Sequence, residues 1–139
     1  MNVLVTGAGS GIGAAVAAVF AQSGHTVYAL VVQPIQETEN VIPFLADITD
    51  EEALRRVAET LSREKISLDC IVNVAGIFLM DDFLEIETGK LRAVFNVNVL
   101  GAMLVDKVFF PLLRKNGKIF ITTSEVAPLH PLPFNGVYN

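Results

Sequence analysis

Apolar residues along this chain fall into short continuous runs, and the segments between the runs carry them at every third or fourth position. Val3-Leu4-Val5 is the first run, followed by alanines and valines at helical spacing. Continuous runs suit strands buried on both faces, and the longer period suits helices laid over them. The pattern predicts strands over residues 2–5, 26–32, 41–45, 68–74 and 117–123. It predicts helices over residues 11–23 and 51–64, and a long one from Thr88 to about Arg114. Punctuation agrees. Gly24 stops the first helix, Pro34 helps end the second strand, and Thr49 or Asp50 caps the second helix ahead of Glu51 and Glu52. Residues 80–88, with Asp81 and Asp82, read as a polar connection; residues 127–139, with Pro128, Pro131 and Pro133, read as a loop.

Strands alternating with helices imply right-handed crossovers and a doubly wound parallel sheet, an α/β fold with helices on both faces. The expected strand order is 3-2-1-4-5, with no internal repeat and no linker. In such sheets ligands bind beyond the carboxyl ends of the strands, where the order reverses between strands one and four.

Composition narrows the function. The chain has 139 residues, the size of one domain, and 52% of them are hydrophobic. A net charge of -5 and the lack of a Lys/Arg cluster argue against a nucleic-acid partner. The longest apolar stretches, such as residues 14–21 and 108–113, are too short to span a membrane. No basic segment precedes the glycines near Met1, so no signal peptide is expected and the cytoplasm is the expected compartment. Cys70, the single cysteine, lies in an apolar run and reads as a buried structural thiol. His25 and His130 match no motif, and no metal site is expected.

The residues that end the strands carry the chemistry. Thr6-Gly7-Ala8-Gly9-Ser10-Gly11-Ile12-Gly13 follows strand one. A glycine-rich turn opening a helix presents free backbone N–H groups and a positive dipole end, and lets a pyrophosphate approach without a Cβ in the way. Asp47 and Ile48 follow strand three, and Asn73-Val74-Ala75-Gly76 ends strand four. Asn98 stands inside the long helix, where a polar residue in apolar surroundings needs a partner. Ser124 follows strand five, and Tyr138 is next to last in the sequence.

In this order, these residues resemble the short-chain dehydrogenase/reductase family across the whole chain. The glycine turn matches its Thr-Gly-x3-Gly-Ile-Gly fingerprint. Asp47 falls where the family places an acid that hydrogen-bonds adenine. Residues 73–76 resemble its Asn-Asn-Ala-Gly motif, with Val74 departing at the second position. Asn98 matches the asparagine that anchors a proton-relay water, and Ser124 and Tyr138 match the catalytic Ser and Tyr. The resemblance implies a Rossmann-type dinucleotide-binding domain over residues 1–139 that lacks its C-terminal strands. It also implies hydride transfer between NAD or NADP and a small alcohol or carbonyl substrate. Ser124 then orients the substrate oxygen, and Tyr138 transfers its proton.

Two departures accompany the resemblance. The family's Lys, four residues after the Tyr, would lower the phenol's pKa, but that position lies past Asn139. A chain ending there is expected to bind cofactor at most; the alternative reading is a non-catalytic dinucleotide-binding module. The second strand ends in Val31 and Val32, with neither the acid that favours NAD nor the Arg that favours NADP. With no cation evident for a 2′-phosphate, the expectation leans to NAD. An extended-type sugar-nucleotide epimerase fits less well, given the form of the glycine turn and the short Ser124-to-Tyr138 spacing. Phe95, Val99, Met103, Val105, Phe109 and Phe110 give the long helix more apolar surface than one face needs. A homodimer or homotetramer is therefore expected, with residues 125–135 as an apolar wall of the substrate pocket.

Overall fold

The computed structural model describes residues 1–82 and 84–124. Five parallel strands form one sheet in the order β3-β2-β1-β4-β5. They are β1 (Asn2–Thr6), β2 (Thr26–Val31), β3 (Val41–Leu45), β4 (Leu68–Asn73) and β5 (Leu113–Ile121). The reversal between β1 and β4 is where the sequence places it. Val3, Leu4 and Val5 pair with Val27, Tyr28 and Ala29 on one side and with Cys70, Ile71 and Val72 on the other.

Alternation along the strands builds two cores. Val3, Val5, Val27, Ala29, Val31 and Val72 face α1 (Gly11–Gln22) and pack against Ala17. Leu4, Leu30 and Ile71 point the other way, onto α2 (Glu51–Arg63) and the long helix. The two faces are built differently. Helix α1 is almost wholly apolar and rich in alanine, which lets it lie close to the sheet. Helix α2 is amphipathic and buries Ala53, Leu54, Val57 and Leu61, one stripe at i, i+3/i+4 spacing. Gly24, at φ +76°, ends α1 by donating its N–H to the Ala21 carbonyl at 3.0 Å. At the start of α2 it is Asp50, rather than Thr49, whose carboxylate accepts the Ala53 N–H at 3.0 Å.

The long helix departs from expectation in three ways. It is interrupted, running as α3 (Thr88–Phe95), a π-helical turn (Asn96–Gly101), α4 (Ala102–Phe109) and a 3-10 turn (Phe110–Leu112). It stops at Leu112, short of Arg114, because Pro111 brings no N–H for a further turn and Leu113 is already extended. As one unit of 25 residues, Thr88–Leu112 is also long and apolar enough to cross a membrane, by length and composition alone. The uninterrupted runs hid this because Asn96 and Asn98 divide them. Here the helix buries Val94, Gly101, Val105, Val108 and Phe109, and Val105, Val108 and Phe109 join the core cluster of Leu4 and Ile71.

Strand β5 starts at Leu113 and ends at Ile121, where residues 117–123 were expected. Leu113 pairs with Leu68, but the next pairing is Lys118 with Cys70, so the intervening residues bulge. A Cβ on Gly117 would stand 2.5 Å from the Leu113 side chain, so the chain folds back on itself there. Regular pairing runs from Lys118 to Ile121, the part that the apolar pattern marked. The expected loop over residues 127–139 lies outside the described residues.

Candidate functional site

The carboxyl ends of β1 and β4 are fastened to each other by side chains that the sequence singles out. Thr6 is buried, and its Oγ1 accepts the N–H groups of both Val74 and Ala75 at 3.0 Å. Gly7, at φ +66°, lies so close to Ala75 that a Cβ would stand 2.8 Å from the Ala75 Cα. Only glycine satisfies both conditions. Gly13 closes the same turn from the helix side, where a Cβ would sit 2.1 Å from the Gly7 carbonyl oxygen. Gly9 lies beside Val31 and Ile35.

The mouth of this turn is open. Gly11, at φ +52°, has nothing within 4 Å of its Cβ direction, and Ser10 and Ile12 are exposed. An α-helix leaves the amides of its first turn without intrahelical partners, and in α1 these belong to Gly11, Ile12 and Gly13. Ser10 does not cap them with its side chain. Unclaimed donors, a positive helix end and open space fit a pyrophosphate. The residues present therefore suit a dinucleotide.

Asn98 sits in the π-helical turn and holds the segment after β4. Its Oδ1 accepts the Ile77 N–H at 2.8 Å, and its Nδ2 donates to the Ile77 carbonyl at 2.9 Å. A Cβ on Gly76 would stand 3.3 Å from that same Oδ1. The wider π turn coincides with a tight contact at its last residue, where a Cβ on Gly101 would stand 2.6 Å from Ile48 Cδ1. Ile48, after β3, is thereby packed under the helix that carries Asn98.

Asn73 is buried at the end of β4, where its Nδ2 donates to Asp106 Oδ1 at 2.8 Å. Its backbone carbonyl accepts both the N–H and the Oγ1–H of Thr122, at 3.0 and 3.1 Å. Asn73 Oδ1 is buried without a hydrogen-bond partner among the described residues. Sequence reading missed Asp106 and Thr122. The signal for Asp106 was present, since it is a lone carboxylate in the apolar stretch that ends in Phe109 and Phe110.

Thr6, Gly7, Gly13, Asn73, Ala75, Gly76 and Asn98 are thus brought together in one linked group, with Ile48 beneath. Asp47 stands to one side, in a cleft between the ends of β2 and β3, where its Oδ1 accepts the N–H and hydroxyl of Thr49, both at 2.8 Å. Ser124 is the last described residue, just beyond β5, and Tyr138 lies outside the described residues. No group of His, Cys, Asp or Glu among the described residues is arranged to hold a metal ion. Cys70 is buried, and burial pushes its thiol pKa up, so it is not poised as a nucleophile.

Known proteins resemble this chain in sequence and in fold. The chain is 29% identical over 140 residues to 3-ketodihydrosphingosine reductase of Bacteroides thetaiotaomicron, covering 99% of this chain and 51% of that protein. It is 29% identical over 147 residues to versicolorin reductase stcU of Emericella nidulans, covering 98% of this chain and 56% of that protein. A crystal structure of a short chain dehydrogenase family protein from Francisella tularensis superposes with a TM-score of 0.88 at 27% identity, over 99% of this chain and 56% of that one. The chain thus spans about half the length of the curated relatives it matches. The family model for short chain dehydrogenases matches residues 1–139, and the chain belongs to that family.

Proposed function

We propose that the chain forms the cofactor-binding part of an NAD(P)-dependent oxidoreductase that interconverts an alcohol and a ketone or aldehyde. The observation that carries this reading is the open glycine turn, locked to β4 by Thr6 and by the Gly7–Ala75 contact at the point of strand reversal. When bound there, nicotinamide exchanges a hydride with the substrate carbon. The amides of Gly11, Ile12 and Gly13 hold the pyrophosphate; Asp47 accepts from the adenine amino group, with Ile48 as packing beneath the site. Asn73, Ala75 and Gly76 form the floor beside the cofactor.

In this reading Ser124 hydrogen-bonds the substrate oxygen, and Tyr138 gives or takes its proton. Asn98 anchors a water that resupplies that proton, while its grip on Ile77 fixes the loop over the site. The protein acts on a small molecule in the cytoplasm. Phe95, Val99, Met103 and Phe110 remain exposed on the long helix and support a homo-oligomer.

The test is oxidation of NADH and NADPH by the full-length protein against a panel of ketones and aldehydes. Turnover is expected with at least one carbonyl class, and Tyr138→Phe is expected to lower it about 10²- to 10⁴-fold with cofactor binding intact. Equal turnover by wild type and the Phe variant would remove Tyr138 from the mechanism. Failure of both cofactors to bind would remove the reading itself.

A further inference from the structure

The cleft beside Asp47 contains a cation that the sequence order conceals. It has a volume of about 310 Å³ and is lined by Val32, Leu45, Asp47, Asp50, Ala53 and Arg56, among others. Val32 directly follows β2 and is 70% exposed. Arg56 comes from α2, and the folding of α2 against the sheet makes it part of the lining of this cleft. It is separated from Val32 by 24 residues of sequence, so no local motif links them.

The guanidinium of Arg56 has no hydrogen bond or ion pair among the described residues. Its neighbour Arg55 is bound to Glu51. Two carboxylates share the cleft with Arg56, yet neither engages it. Asp47 Oδ1 is taken by Thr49, and Asp50 Oδ1 by the Ala53 amide. The opposite feature is equally marked at the end of β2. Val31 is buried against Gly9, where a carboxylate would be needed to accept a ribose 2′-hydroxyl. The side chains of Val31 and Val32 offer a hydroxyl no hydrogen bond, and the one unengaged cation lining the cleft suits an anion.

We propose that Arg56 binds the 2′-phosphate of NADP, and that the protein selects NADP over NAD through this residue from α2. The inference rests on the dinucleotide reading above and departs from the expectation of NAD, which was based on the apparent lack of a cation. A guanidinium offers phosphate two parallel charge-assisted hydrogen bonds, which a ribose hydroxyl cannot match. Asp47 and Asp50 weaken the attraction but do not redirect it, since neither pairs with Arg56: Asp47 accepts from Thr49, and Asp50 accepts the Ala53 amide in the first turn of α2.

The test is direct binding to the full-length protein by calorimetry, with adenosine 2′,5′-bisphosphate and 5′-AMP as probes. Wild type is expected to bind the bisphosphate more tightly than 5′-AMP, increasingly so as salt is lowered. Arg56→Gln is expected to weaken the bisphosphate about 10- to 100-fold and to leave 5′-AMP unchanged, which also shows that the variant is folded. Arg56→Lys is expected to keep part of the preference. Equal losses for both probes would mean that Arg56 touches the adenine instead, and equal wild-type affinities would mean that the 2′-phosphate is not read; either overturns the proposal and leaves the dinucleotide reading intact. No binding of either probe overturns both.

Discussion

Asn98 and Ile77 bind each other reciprocally, the side-chain amide of one replacing the strand partner that the backbone of the other lacks. The pairing ties the loop after β4 to the π-helical turn, and two hydrogen bonds at one residue fix both position and orientation. Asn98→Ala removes both bonds and is expected to cost about 1–3 kcal/mol. Asn98→Asp can accept from Ile77 N–H but cannot donate to its carbonyl, so it is expected to fall between. Urea unfolding, with hydrogen exchange at the Ile77 amide, reads both effects. Unchanged exchange at Ile77 in the Ala variant would show that something else holds the loop.

Thr6 is the corresponding tie between β1 and β4. Its Oγ1 accepts two amides in a buried setting, so Thr6→Val leaves two donors without a partner. The expected loss is about 2–4 kcal/mol, because unsatisfied buried donors each cost their desolvation. Thr6→Ser keeps the oxygen and is expected to lose much less. The midpoint of urea unfolding separates the two variants.

Gly7 and Gly11 both have positive φ, but their surroundings differ. Gly7→Ala drives a Cβ into the Ala75 backbone and is expected to destabilise the fold by about 2 kcal/mol or more. At Gly11 the Cβ meets open space, so Gly11→Ala is expected to cost only about 1 kcal/mol of backbone strain. Its main effect falls on the ligand, because the methyl enters the space assigned to the pyrophosphate. Thermal melts alongside cofactor titration are expected to show stability lost at Gly7 and affinity lost at Gly11.

Glu51 couples α2 to α4. Lys107 Nζ lies 3.0 and 3.2 Å from its two oxygens, and Arg55 bonds the nearer one. The Lys107 bond first, and the Arg55 bond next, hold the Glu51 carboxyl below its ordinary value of about 4.5. A lowered acid pKa means that the unfolded chain takes up the proton first. The stabilisation is therefore complete above the ordinary value and is lost as pH falls through the lowered one. The stability gap between wild type and Glu51→Gln is expected to be constant near neutrality and to close in acid. It is also expected to shrink with added salt, since the pair is exposed. A gap that persists in acid would assign it to packing.

Most of the sheet is legible in the sequence because its signals are local. The apolar runs of β1, β2 and β4 state their own burial, and Gly24 and Asp50 state where helices stop and start. The linked group of Thr6, Gly7, Ala75 and Asn98 is legible as residue types, although its hydrogen bonds are not. What is hidden depends on contacts distant in sequence. The π turn coincides with Gly101 meeting Ile48, the start of β5 depends on a bulge that folds Gly117 onto Leu113, and Arg56 faces the cleft only because α2 docks as it does.

The central claim is that a dinucleotide binds at the glycine turn. The chain contains no tryptophan, so the fluorescence of NADH or NADPH can be followed without indole background in a titration of wild type and Gly11→Ala. Saturable binding to wild type, displaced by ADP-ribose and weakened at least about tenfold in a Gly11→Ala protein that remains folded, is the expected result. Binding that is absent in wild type, or unaffected by a methyl at Gly11, would contradict it.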